Sequence, residues 1–232
     1  MVIIPEEVDL LWQATSYTPP FYQGKALAAH GSPISVIAFP HFKTASGEEI
    51  SPDKLIYTWK VNGAIMQPFS GYGRDTYTFS NNSTVWEEVV VEVDVAIADG
   101  TIKAESSEVF SRTQVRLVFY ENDPLYGLRL EQAIPRNYTM PREEVAIIAA
   151  PYFIGENKRN NKNINYEWRL NGRVVEMQTT DPSVVTLREE DKTGKATLRL
   201  DVANEDLFTQ MARDSIDIEF GGKNPLSQSN NP

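Results

Sequence analysis

Apolar and polar residues alternate along most of this chain with a period of two. Val89, Val91, Val93, Val95 and Ile97 share one parity, while Glu92 and Asp94 lie on the other. Leu198, Leu200 and Val202 alternate with Arg199 and Asp201 in the same way, and Ile216, Ile218 and Phe220 alternate with Asp217 and Glu219. Val115, Leu117 and Phe119 repeat the pattern. Successive side chains of a strand point to opposite faces, so each run marks a strand with one buried face. Short runs of this kind, separated by Gly, Pro, Asn and Asp, predict an all-β fold of antiparallel sheets packed face to face. A helical period stands out over Glu205–Asp214, where Leu207, Phe208 and Met211 share a face and Asn204 is placed to cap the start. That predicts one short helix in the second half.

The alternation carries a duplicated phrase. Tyr57-Thr-Trp59-Lys-Val-Asn62-Gly63 and Tyr166-Glu-Trp168-Arg-Leu-Asn171-Gly172 stand 109 positions apart. Each reads as a strand with alternate large side chains on one face, followed by the Asn-Gly of a tight hairpin. Four further landmarks keep the same order: Leu10-Leu11-Trp12 with Leu117-Val118-Phe119, Pro20 to Gly24 with Pro124 to Gly127, Val36 to Phe42 with Ile147 to Phe153, and Val89 to Ile97 with Thr197 to Ala203. Five landmarks in one order imply duplication of a unit of roughly a hundred residues. The expected domains are 8–112 and 113–222, joined by a linker as short as Ser111-Arg112-Thr113, which restricts bending. The polar stretch 223–232 reads as a frayed tail or linker.

Composition narrows the function classes. With 232 residues, 41% hydrophobic and 23% charged, the chain suits two folded domains. It has no run approaching the roughly 20 apolar residues of a membrane-spanning helix, and Met1 to Glu7 is too short and too acidic for a signal peptide. A net charge of −10 argues against nucleic acid and anionic lipid as partners. Cysteine is absent, which removes thiol catalysis, thiolate zinc sites and disulfide frameworks, and points to a bacterial source or a reducing compartment. The two histidines, His30 and His41, do not make a metal-ligand pair. No cofactor is expected.

The Tyr-x-Trp strand after a Pro-bearing apolar strand, then a long alternating strand and a turn into a last one, resembles immunoglobulin-like sandwiches of bacterial surface proteins, including polycystic-kidney-disease-type repeats. Trp-x-x-Asn-Gly replaces the Trp-x-Phe-Gly-Asp-Gly of those repeats. Trp12, Pro19 to Lys25, Tyr57 to Trp59, Ser70 to Arg74 and Tyr120 to Gly127 together look like a family of exported two-repeat proteins that accompany type IV pilus components in small-genomed bacteria. The resemblance implies two tandem immunoglobulin-like β-sandwiches and an extracytoplasmic, cell-surface location, and neither a signal peptide nor an anchor is expected within this segment. It also implies a protein partner in a surface or pilus assembly and no enzymatic activity. In such domains the third-strand tryptophan fills the core, so Trp59 and Trp168, with Tyr57 and Tyr166, are the expected core residues.

Contact residues are sought elsewhere. Trp86 has the parity opposite to the buried set, and with Tyr72 and Arg74 it is the candidate ligand or partner contact. Glu121 and Asp123 are the candidates for calcium, set against solvated turns as the plainer explanation. No Gly-x-Ser-x-Gly elbow or phosphate loop occurs. The leading reading is a non-catalytic structural or adhesion module of a surface or pilus-associated assembly. The second is a carbohydrate-binding module using exposed aromatics around Trp86, and an enzyme comes third. A flat row of aromatics would favour sugar, whereas an apolar patch or open sheet edge would favour protein.

Overall fold

The computed structural model describes residues 7–44, 46–80, 88–155, 158–176, 180–189 and 193–221. The described chain is β throughout apart from two 3-10 turns, Pro52–Lys54 and Gln67–Phe69. It forms two compact units, one of residues 1–15 and 25–113, the other of residues 16–24 and 114–232. The segment 16–24, which the sequence reading places inside the first domain, therefore belongs with the second unit.

The first unit contains β1 (Val8–Ala14), β2 (Pro33–Pro40), β3 (Ile56–Val61), β4 (Ala64–Ile65), β5 (Gly71–Tyr72), β6 (Thr76–Ser80), β7 (Val89–Ala96) and β8 (Lys103–Phe110). One antiparallel sheet runs β1-β2-β6, the other β4-β3-β7-β8 with β5 also on β3. Their inner faces meet in one core that includes Ile34, Val36, Ala38, Tyr57, Trp59, Tyr77, Val91, Val93 and Val95. The alternation forces this: every second residue of β7 is buried, and its neighbours face outward.

The second unit contains β9 (Arg116–Asp123), β10 (Gly127–Ala133), β11 (Asn137–Thr139), β12 (Glu144–Tyr152), β13 (Ile164–Leu170), β14 (Arg173–Val174), β15 (Val184–Arg188), β16 (Gly194–Asn204) and β17 (Met211–Phe220). Its sheets run β10-β9-β12-β15 and β11-β17-β16-β13-β14. All pairs are antiparallel except β11 with β17. Leu117, Phe119, Ile147, Trp168, Val185, Leu198, Leu200 and Ile218 are buried between these sheets.

The hairpin after each central tryptophan is built the same way. Asn62 and Gly63 have φ of 49° and 79°, and Asn171 and Gly172 have φ of 50° and 82°. Positive φ at both central residues is what the tight hairpin turn requires, and Asn and Gly tolerate it best. Each Asn then does more: Asn62 Oδ1 accepts the Val90 N–H at 2.9 Å, and Asn171 Oδ1 accepts the Thr197 N–H at 2.9 Å. The side chain thereby ties the turn to the neighbouring strand. Asn62→Ala is expected to lower the melting temperature of the chain by a few degrees, checked by thermal circular dichroism, since Ala tolerates neither the φ nor replaces the acceptor.

Two expectations are corrected. The helix over Glu205–Asp214 is absent: a turn follows β16, and Met211 opens β17, which pairs with β16 from Met211↔Ala203 to Phe220↔Gly194. Asn204 Oδ1 does accept the N–H groups of Asp206 and Leu207 at 3.1 and 3.3 Å, as a helix cap would. The turn ends there because a short helix has a costly nucleus, whereas the ladder with β16 pairs all ten residues Met211–Phe220. Phe208 and Met211, the supposed helix face, stay exposed. The alignment of Leu10 with Leu117 is also off by two. Val8 pairs with Pro40 and Leu117 with Pro151, so Leu117 stands where Val8 does.

Candidate partner-binding groove

The predicted core residues are core. Trp59 and Tyr57 are wholly buried, and Trp168 and Tyr166 nearly so. Trp59 Nε1–H donates to the Arg74 carbonyl at 2.7 Å, and Trp168 Nε1–H donates to the Pro182 carbonyl at 3.0 Å. Each indole thus satisfies its one polar atom on the chain just before the facing strand. The Tyr57 hydroxyl is buried with no hydrogen-bond partner among the described residues. Burial, then the nearby Asp75 and Asp53 carboxylates, push its pKa up to about 12.

Of the predicted contact trio, Tyr72 and Arg74 lie among the described residues. Tyr72 projects into solvent from β5, and Arg74 is exposed with its carbonyl engaged by Trp59. Trp86 lies outside the described residues.

The calcium candidates do converge, but on a cation the chain supplies. Arg142 Nη1 donates to Asp123 Oδ2 at 3.0 Å and Nη2 donates to Glu121 Oε1. Tyr138 donates its hydroxyl to Glu121 at 3.3 Å. Asp123 also accepts the N–H groups of Leu125 and Tyr126, at 2.8 and 3.1 Å, and so shapes the turn between β9 and β10. Among the described residues no group of three acidic or imidazole side chains is placed to hold a metal.

Those backbone donors first, and Arg142 second, hold the Asp123 carboxyl below its usual pKa. A lowered pKa stabilises the fold above the unfolded carboxylate value of about 3.9, and that stability is lost as pH falls through the lowered one. Asp123→Asn should therefore flatten the acid side of the stability curve. Melting temperatures followed from pH 6 down to pH 2 check this, and a variant curve parallel to the wild type would refute it.

A groove of about 510 Å³ lies in the second unit. Its walls are Pro19 to Gln23 on one side, Leu128, Leu130 and Glu131 of β10 on another, and Tyr152 of β12. The strap 16–24 is anchored by two backbone bonds: Tyr17 N–H to Ile154 O and Phe153 N–H to Tyr17 O, both 2.8 Å. Tyr17 is buried there. Beyond it, Tyr22 N–H reaches the Pro19 carbonyl at 3.3 Å, closing a turn with Pro20 and Phe21 at its centre. Phe21 has φ of 63°. That is the position where such a turn takes glycine, and a bulky residue there costs about 1–3 kcal/mol.

The strained phenylalanine gains nothing from the fold, because it is 93% exposed. Tyr22 behaves oppositely. It packs edge-on against Tyr152 at 5.5 Å and Phe153 at 6.0 Å, and a Cβ at residue 24 would collide with its hydroxyl, so Gly24 makes room for it. Tyr152 is fixed from below by a 2.6 Å hydrogen bond with the Tyr120 hydroxyl. Leu125 and Tyr126, on the turn between β9 and β10, are also exposed, and Arg129 lies 5.9 Å from the Tyr126 ring. The lining holds one carboxylate, Glu131, which is salt-bridged to Arg129.

The sequence reading used Pro20 to Gly24 as a repeat landmark and as part of the family resemblance, not as a contact site. The available signal was a Pro-Pro turn with an aromatic where glycine belongs. No protein-family model matches the chain, and no curated protein sequence matches it.

Proposed function

We propose that this chain is a non-catalytic, extracytoplasmic structural or adhesion module of a bacterial surface or pilus-associated assembly. It consists of two tandem immunoglobulin-like sandwiches and holds a protein partner in the groove of the second. The observation that carries the reading is Phe21, kept in a costly backbone conformation and exposed beside Tyr22, Leu128 and Leu130. Strain that serves no packing belongs where a ligand is met. The equivalent strand orders of the two units and their matching indole hydrogen bonds support the tandem reading. No described helix is long and apolar enough to cross a membrane.

A carbohydrate-binding module remains the second reading, because the groove is aromatic. Its rings meet at 70–78°. An edge-to-face cluster offers no flat platform to a sugar ring, so protein is favoured.

The test uses the full chain and its Phe21→Gly variant. Glycine suits the positive φ, so the variant's melting temperature should equal or exceed the wild type. Both are screened against a displayed peptide library and a glycan array. Peptides selected by the wild type and lost by the variant support the reading. Array glycans lost by the variant, with no peptide selected, would move the assignment to sugar, and ligands unaffected by the change would remove the groove.

A further inference from the structure

The connection between the first two sandwich strands differs between the units, and that difference decides which sheet edges are left open. In the second unit residues 124–143 form β10 against β9 and β11 against β17. In the first unit residues 15–32 form no strand, and residues 16–24 group with the second unit. Among the described residues β1 therefore ends its sheet with one side unpaired.

Three of the other sheet edges are blunted: β4 and β14 are two residues long, and β8 presents Lys103 and Glu105. Shortness and charge are the usual protections against strand addition. β1, Val-Asp-Leu-Leu-Trp-Gln-Ala, has neither Pro nor Lys. Its one charge, Asp9, is engaged by His41 Nε2 at 2.9 Å.

The direction of its free backbone groups follows from its bonds. His41 N–H donates to the Glu7 carbonyl and Thr15 N–H to the Pro33 carbonyl, both at 2.8 Å, so odd-numbered residues turn their groups toward β2. Val8, Leu10, Trp12 and Ala14 turn theirs to the open side.

We propose that β1 pairs antiparallel with β1 of a second copy of this chain, about a two-fold axis through Leu11. Leu11 is the midpoint of Val8–Ala14, so this register engages the whole strand of both copies. Leu10 then exchanges backbone bonds with Trp12 of the second copy, and Val8 with Ala14. On the outer face Leu11 meets Leu11, and Asp9 meets the neutral Gln13. No like charges oppose each other, although the chain carries a net charge of −10.

The outer face also explains why the strand suits a copy of itself. Leu11 is 58% exposed, its ladder partner Ile37 is half-buried, and Phe39 opposite Asp9 is 44% exposed. Pairing brings the two Leu11 side chains into contact and makes the apolar side chains of the two outer faces contiguous. Two three-stranded sheets become one continuous sheet.

The test is the assembly state of the full chain by sedimentation equilibrium. The wild type dimerises. Leu11→Lys and Leu11→Glu each place like charges face to face and should raise the dimer Kd by at least roughly tenfold. Leu11 is solvent-facing, so far-ultraviolet circular dichroism should not change, and at dilutions where all chains are monomeric neither should the melting temperature. Mixing the two variants in equal amounts restores the dimer, which a partner other than a second copy could not produce.

A covalent test runs in parallel. Leu11→Cys would be the sole thiol of a cysteine-free chain, and the axis brings the two Cα atoms to about 4.5 Å, within disulfide reach. Mild oxidation should cross-link it, whereas Thr78→Cys on β6 should stay monomeric. A wild type that stays monomeric at all concentrations, a Leu11→Lys dimer as tight as wild type, or equal cross-linking of the two cysteine variants would overturn the proposal.

Discussion

Replacing Trp59 by alanine should destabilise the first unit by about 3–5 kcal/mol, and Trp168→Ala should do the same to the second. Each removes a wholly or almost wholly buried indole. Trp59 leaves behind its stacking on Tyr77 at 5.7 Å and an unpaired Arg74 carbonyl, and Trp168 leaves its contact with Phe119 at 5.9 Å and an unpaired Pro182 carbonyl. The cavity and the orphaned acceptor act together, so phenylalanine should restore only part of the loss. Urea denaturation followed by far-ultraviolet circular dichroism measures it. A loss below about 1 kcal/mol at either site would be incompatible with a core organised around that ring.

The next largest effect is expected in the turn that stands where a helix was predicted. Asn204 and Gln210 are both buried, and Gln210 Oε1 accepts the Gly155 N–H at 2.7 Å and the Asn204 amide at 3.3 Å. Asn204 N–H donates to the Gln210 carbonyl at 3.0 Å. Gln210→Leu keeps the volume but strands the Gly155 donor. It should cost about 1–3 kcal/mol. Asn204→Ala, which frees the donors of Asp206 and Leu207 as well, should cost at least as much. Amide hydrogen exchange at Gly155 and Leu207 locates the damage, and unaltered protection there would refute the role given to these amides.

These two sites also divide what could be read from sequence from what could not. The tryptophans were legible because strand parity is absolute: once Tyr57 and Val91 point inward, so must Trp59 and Val93. The Asn-Gly hairpins were legible because their turn chemistry is local. The helix was misread because three apolar residues at helical spacing are equally compatible with a turn plus a strand, and only the distant ladder with β16 decides between them. The two-residue slip of Leu10 against Leu117 has a similar cause. A slip of two preserves every inward-facing position, so alternation alone does not detect it.

The groove was hidden for another reason. Its walls come from residues 19–23, 128–131 and 152, and nothing in the chain's order announces that residues 16–24 depart from the unit that flanks them. The predicted contacts rest on strand parity, on a glycine turn and on the stacking chemistry of outward aromatics, none of which points to residues 19–23. Tyr72 is exposed, yet neither it nor Arg74 lines this groove. Glu121 and Asp123 were correctly grouped as neighbours, but their partner, Arg142, lies 19 residues beyond Asp123 and could not be paired with them by spacing.

The proposed protein contact is the groove beside Phe21 in the second unit. Its most direct test is capture: immobilised wild type and Phe21→Gly chains are exposed to envelope extract of the source organism, and retained proteins are quantified. A protein should be held by the wild type and reduced at least roughly tenfold on the variant, the loss expected on removing a central aromatic anchor. Identical retention by the two chains would contradict it.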